Sequence, residues 1–284
     1  MESLNQRKRK AKGKWFGNSK KAKYAICPGQ KGFLVFCNNR EREAIKEARI
    51  LFDEFMTKTK VEEVSDDENL QKSEDEFDAV EAEKAQMDHD KSEAGEKFKL
   101  MNTGVQNVLF FKARIHDPVS FAKAIMDEII ESKEQKTRFL LRLIPIEATT
   151  KAYKENISEA VKKLLIPHFD GKELSYCVVF KSRCNKDFSK EVAYKIVGDI
   201  MKEISPNSKV EFKTPDFVVM VEVMKGNCCI GVLPDYFSTY KKYNLIELAS
   251  LKVKETAQNE NSQEKDADKN TNETKNESQS SEKE

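Results

Sequence analysis

Phe217–Met224 reads FVVMVEVM, apolar at every position except Glu222. Neighbouring side chains of a strand point to opposite faces, so a strand apolar on both faces needs cover on both. Such a strand belongs in the middle of a sheet, and the rest of the chain must supply the covering layers. The segments before it are spaced for that. Tyr153, Ile157, Ala160, Val161, Leu164 and Leu165 form one helical face, closed by Pro167. Tyr176–Asn185 (YCVVFKSRCN) is a strand. Val192, Ala193, Ile196, Val197, Ile200, Met201 and Ile204 make a second helical face, closed at Ser205-Pro206. Val210–Phe212 is a short strand. After the central strand, Gly226-Asn227 reads as a two-residue turn, Cys228–Val232 pairs back, Pro234 ends it, and Asp235–Leu245 is a last short segment.

The first half repeats the alternation. Pro28-Gly29 and Gly32 are turn chemistry, and Gly32–Cys37 (GFLVFC) is a buried strand. Asn38 or Asn39 is placed to cap the helix whose face is Ala44, Ile45, Ala48, Leu51, Phe52, Phe55 and Met56. Phe98–Met101 and Val108–Ile115 follow as strands. Asp117-Pro118 is an N-cap with proline at the first helical position, ahead of a face of Phe121, Ala122, Ile125, Met126, Ile129 and Ile130. Thr137–Ile146 (TRFLLRLIPI) is a strand ended at Pro145. The order strand, helix, strand, strand, helix, strand is that of a split βαβ, ferredoxin-like domain. That order hosts many functions and names none.

Charge is segregated along the chain. Residues 1–23 hold nine Lys/Arg against Glu2, with RKRKAKGK at 7–14. Residues 62–97 hold fifteen acids against four lysines, and residues 254–284 nine acids against five. With a net charge of only +1 overall, the foldable remainder carries +8, a surplus that suits a nucleic-acid partner. The basic head reads as a nuclear address, a phosphate-binding arm or a solubilising tail, with Trp15 and Phe16 able to stack on bases or anchor it. The acidic stretch lacks an apolar face and reads as a disordered insertion in which Ser65 and Ser73 precede acidic runs. It is a solvated spacer, or a mimic of nucleic acid beside a basic groove. The tail is disordered by composition.

Six cysteines, none in a CxxC pair, read as reduced thiols of an intracellular protein. Cys228 and Cys229 are strand neighbours, so they face opposite ways and cannot comfortably share a metal. There is no GxGxxG after a strand, no GxxxxGK[ST], no zinc-deaminase signature and no run of eighteen apolar residues. No catalytic centre, cofactor, metal or membrane span is expected.

The basic body must then carry any nucleic-acid surface. Lys181 and Arg183, with Ser182 and Asn185, end a buried-strand pattern, an arrangement suited to phosphate or ribose. Arg138 and Arg142 alternate on one face of their strand and reach a phosphate track if that sheet face is open, or pair locally with Glu147. Lys151, at a helix start after Thr149-Thr150, opposes the helix dipole, and a bound phosphate relieves this. Lys225 at the hairpin and Lys241-Lys242 between Tyr240 and Tyr243 complete the set. Those tyrosines stack on unpaired bases or pack into the domain.

Four blocks together, RFLLRLIPIEATTKA (138–152), YCVVFKSRCN (176–185), VEVMKGNCCIGVLPDY (221–236) and YKKYNL (240–245), resemble the THUMP domain family. The basic head, the CPGQKGFLVFCN opening and the acidic insertion match its adaptor branch. The resemblance covers about residues 24–250. It implies a ferredoxin-like domain at 24–146 carrying an insertion at 61–97, and a THUMP RNA-binding domain at 147–253. The basic arm would be 1–23 and the tail 254–284. It also implies a monomeric, non-catalytic adaptor that presents tRNA, of serine and leucine species, to a separate RNA cytidine acetyltransferase making N4-acetylcytidine in the D arm. The expected location is the nucleus, within it the nucleolus. The alternatives are an RNA-modifying enzyme centred near Asp235 or Cys228, and a nucleolar protein scaffold.

Overall fold

The computed structural model describes residues 25–59 and 97–250. The expectations for the basic arm, the tail and residues 61–96 of the acidic insertion lie outside the described residues.

The first sheet is built from β1 (Gly32–Cys37), β2 (Phe98–Met101), β3 (Val108–Ala113) and β4 (Leu140–Ile146). Its order is β2-β3-β1-β4, with every neighbouring pair antiparallel. Helices α1 (Glu41–Lys58) and α2 (Pro118–Ser132) connect β1 to β2 and β3 to β4. The alternation of strands and helices found in the sequence is therefore present. Asp117 caps α2 as expected, its Oδ1 accepting from Val119 N and Ser120 N at 2.9 and 3.1 Å.

Local endings differ from the expectations. Neither Asn38 nor Asn39 caps α1; Arg40 holds that place without a side-chain bond. Asn39 instead takes a left-handed φ of 57° and exchanges hydrogen bonds with Asn107. Pro145 does not end β4, which runs on to Ile146. β4 is the edge of its sheet, where a missing N–H costs no ladder bond.

The second sheet holds β5 (Ala148–Lys151), β6 (Ser175–Arg183), β7 (Lys209–Val210), β8 (Phe217–Met224) and β9 (Asn227–Pro234) in the order β5-β9-β8-β6-β7. β6 runs parallel to β8, and β9 antiparallel to both β8 and β5. Helix α3 (Lys154–Phe169) runs through Pro167 rather than stopping there, and α4 (Lys190–Ile204) follows β6. A 3-10 turn (Lys241–Tyr243) and the short α5 (Leu245–Ala249) close the described chain.

FVVMVEVM is covered on both faces, as its composition demands. Val219, Val221 and Val223 share a core with α3 and α4, whereas Val218, Met220 and Met224 join the core of the first sheet. The two sheets thus share apolar packing, and Gly231 marks a close approach between them. A Cβ there would lie 2.6 Å from the Pro145 carbonyl oxygen, too close for any larger residue. Cys228 and Cys229 fall into different cores, the outcome expected of strand neighbours.

Burial sorts the cysteines. Cys27 and Cys184 are exposed; Cys37, Cys177, Cys228 and Cys229 are buried. Desolvation pushes the thiol of Cys37 up to about 11 and raises Cys177, Cys228 and Cys229 as well. Since the thiolate is the reactive form, maleimide labelling of the native protein at neutral pH should modify Cys27 and Cys184 first. Peptide mass spectrometry reads this directly, and early labelling of Cys228 or Cys229 would contradict it.

Lys136 and Lys58 bind the carboxylates of Glu54 and Glu128, with Lys136 Nζ 2.8 Å from Glu128 Oε1 and Lys58 Nζ 2.7 Å from Glu54 Oε1. Hydrogen bonds from Lys136, then from Lys58, hold both carboxyls below their ordinary value of 4.5. A depressed folded value gives stability that is complete above the unfolded value and lost as pH falls through the folded one. The difference in urea midpoint between wild type and Lys136→Met should therefore shrink as pH drops from about 6 to about 3. A constant difference would exclude this role.

Candidate nucleic-acid interface

Four strands bring the expected residues to one end of the second sheet. Lys151 pairs with Asn227, Asn227 with Met224, and Met224 with Arg183. Lys151 and Arg183 therefore stand at the same level, three strand spacings or about 14 Å apart. Lys181 is two residues back on the face that carries Arg183, and Lys225 occupies the turn between β8 and β9. The turn is Lys225-Gly226, not Gly226-Asn227, and Lys225 takes a left-handed φ of 54°. Asn185 fastens this end by donating to the Lys225 carbonyl at 2.6 Å.

Lys151, Lys181 and Lys225 are exposed. Among the described residues no carboxylate lies within salt-bridge range of any of them. Lys151 Nζ meets only the Asn227 amide oxygen, at 3.2 Å. The Lys225 ammonium leans over the first unit. A Cβ on Gly104, whose φ is 67°, would be 2.2 Å from it. Arg183 is different, since its Nε donates to the buried Glu222 carboxylate at 2.7 Å.

Both long helices of this unit begin at the same end, because α3 follows β5 and α4 follows β6. Neither has a side-chain cap on its first turn. Their dipoles favour an anion there, although Glu155 and Glu191 sit in those first turns and the Glu191 carboxylate already accepts from its own N–H and from the Ser189 hydroxyl. Lys154, Lys186 and Lys190 add exposed cations that the sequence reading did not select. Two exposed aromatics were also missed. Tyr153 is 66% exposed at the N-cap of α3 rather than part of its apolar face. Tyr194 is 38% exposed, with Lys190 Nζ 5.1 Å from its ring centroid. The available signal was position, since both stand near the helix starts that follow basic strand ends.

Other expectations need correction. Lys151 is not at a helix start; it is the last residue of β5, and α3 begins at Lys154. The dipole argument therefore does not apply to it. Arg138 lies outside β4, which begins at Leu140. It stands over the Phe139 ring while its backbone N–H donates to Glu47. Arg142 is half-buried, bridged to Asn244, and β4 is covered by β9, the 3-10 turn and α5. The open sheet face that would have joined these two arginines is absent at β4. Lys241 and Lys242 belong to the covering segment, Lys241 donating to the Ser238 carbonyl and Lys242 standing over Phe237. Tyr240 and Tyr243 are buried at 4% and 0% exposure, with hydroxyls bound to Asp127 and the Pro234 carbonyl. They pack into the core and offer no stacking surface.

Among the described residues no group of three His, Cys, Asp or Glu is arranged to hold a metal ion, and no helix is long and apolar enough to cross a membrane.

Comparison with known proteins matches a family profile to the second sheet and relatives to most of the chain. The family profile of the THUMP domain matches residues 151–233, which span the end of β5 to the end of β9. The bovine THUMP domain-containing protein 1 is 32% identical over 251 residues, covering 84% of this chain and 70% of that protein. Its human counterpart is 30% identical over 232 residues, covering 78% and 64%. The chain thus spans about two thirds of the length of these mammalian relatives. The protein of Saccharomyces cerevisiae named tRNA acetyltransferase TAN1 is 25% identical over 277 residues, covering 87% of this chain and 96% of that one. The 32% identity with the bovine protein, over 84% of this chain and 70% of that one, means that this chain belongs to the THUMP domain family, alongside THUMP domain-containing protein 1.

Proposed function

We propose that the chain is a tRNA-binding adaptor that presents tRNA to a separate RNA cytidine acetyltransferase. One observation carries the reading. Lys151, Lys181, Arg183 and Lys225 gather at one end of the second sheet, beside the N-terminus of α3, and the three lysines lack a carboxylate partner among the described residues. Cations left unpaired at that density are available to phosphates. The order β2-β3-β1-β4 supports reading 24–146 as a ferredoxin-like unit and 147–253 as the THUMP unit that bears the basic end. The yeast relative's name supports acetylation as the reaction served. Serine and leucine tRNAs, N4-acetylcytidine in the D arm, a nucleolar location and a monomer outside the complex complete the proposal.

The same name favours a second reading, in which this chain transfers the acetyl group itself. One experiment separates the two. Purified full-length chain is incubated with tRNA and acetyl-CoA, and with a salt series in a parallel binding assay. The adaptor reading expects tRNA bound in preference to a DNA duplex of equal charge, with log affinity falling linearly in log salt, and no acetylcytidine formed. Acetylcytidine formed by the chain alone would replace it with the second reading. Equal affinity for both polyanions with no acetylcytidine formed would remove both.

A further inference from the structure

Glu222 is the single non-apolar residue of β8, and it is 3% exposed. A carboxylate so deeply placed is costly unless a cation meets it. Arg183 does, through Nε at 2.7 Å from Oε1. The Arg183 side chain is itself 37% exposed, and its guanidinium carbon stands 5.4 Å from the centroid of Phe36, a residue of the first sheet. Among the described residues no acceptor meets its two terminal amino groups. The guanidinium is thus held at its inner nitrogen by one unit and backed on its flat face by the other. The edge left over, Nη1 and Nη2, is one that grips a phosphate with two parallel hydrogen bonds. Lys181 stands opposite Glu222 in register, so one phosphate there would meet both cations.

We propose that Glu222 is a positioning residue for RNA binding: an anion that promotes the binding of a polyanion by fixing Arg183 through Nε, against the ring of Phe36. The proposal rests on the RNA-binding reading above and adds two claims to it. A lysine cannot replace Arg183, because its single head group cannot serve Glu222 and a phosphate together in this geometry. The grip also depends on both units being in contact, since Phe36 comes from the first.

The test measures tRNA affinity of the full-length chain across a salt series, with thermal unfolding recorded for every variant. Arg183→Ala should weaken binding about tenfold and make the salt slope shallower by roughly 0.7–0.9. Arg183→Lys should be as weak as Arg183→Ala to within about threefold, although its charge is kept. Glu222→Met makes the protein more positive, yet should also lose about tenfold, while Glu222→Gln, which keeps an acceptor for Nε, should retain most of the affinity. Glu222→Met should add nothing in the Arg183→Ala background. Full affinity in Arg183→Lys would overturn the inference even if Glu222→Met failed to fold. So would unchanged or tighter binding by a folded Glu222→Met, or an equal loss from it in both backgrounds. Failure of the underlying reading has a different signature, in which wild type binds tRNA no better than a DNA duplex of equal charge, and the inference falls with it.

Discussion

Lys151→Gln, Lys181→Gln and Lys225→Asn combined in one chain should weaken tRNA binding about a hundredfold near 0.15 M salt and flatten the salt slope by roughly 2–3. Each lysine lacks a carboxylate partner among the described residues, so each is free to displace a counterion from a phosphate. Asparagine is chosen at 225 because the turn demands a left-handed φ of 54° there, which asparagine tolerates. The control removes the same charge elsewhere, at Lys162, Lys163 and Lys213. Lys162 and Lys163 are bound to Glu203 and Glu159 on the helical face, and Lys213 lies past β7 near the other end of the sheet. That triple variant should bind within about threefold of wild type. Equal losses from both triples would show that net charge, not the strand end, governs affinity.

Phe52→Ala should cost about 3–5 kcal/mol of stability. Phe52 is 1% exposed at the centre of a ring cluster, stacked on Phe98 at 4.4 Å and within 5.3 Å of both Phe33 and Phe111. Native domains are stable by only about 5–15 kcal/mol, so the first unit would stand near its unfolding threshold. Urea titration at 25 °C measures the loss, and a value below about 1.5 kcal/mol would mean that the cluster repacks around the gap. Binding should suffer as well. Phe33 and Phe36 share β1, so loosening that strand moves the ring behind Arg183.

The contrast between the two variants explains what was legible beforehand. Alternation and helical spacing are local, and the burial of Val218 through Met224 follows from them whatever the neighbours are. The Asp117-Pro118 cap was equally legible, because capping is settled within four residues. Pro145 and Pro167 misled because proline need not stop an element: an edge strand needs no N–H on its open side, and α3 absorbs one lost bond in its last turn. The Lys225-Gly226 turn was misplaced by one residue, since either dipeptide fits the composition and only the pairing of Met224 with Asn227 decides.

The candidate site divides in the same way. Lys181 and Arg183 were found from the chain because a buried pattern running into cations marks a strand end. Lys151 and Lys225 were chosen for reasons that only partly hold, yet the sheet brings them beside the first pair. Arg142 and the tyrosines at 240 and 243 were misjudged because their exposure depends on α5, the 3-10 turn and β9 folding over β4.

Spacing of apolar residues along the chain was enough by itself to determine the longer strands and helices, their order and the central place of FVVMVEVM, because those preferences act over a few residues; the edge strand β5, the 3-10 turn and α5 carry no such spacing and were not read from it. Tertiary structure alone decided that Arg183 is answered by a carboxylate thirty-nine positions away and by a ring in the other unit, and that Tyr153 faces solvent while Tyr243 does not. Register between strands and packing between sheets join residues remote in sequence, and no local pattern encodes which of them meet.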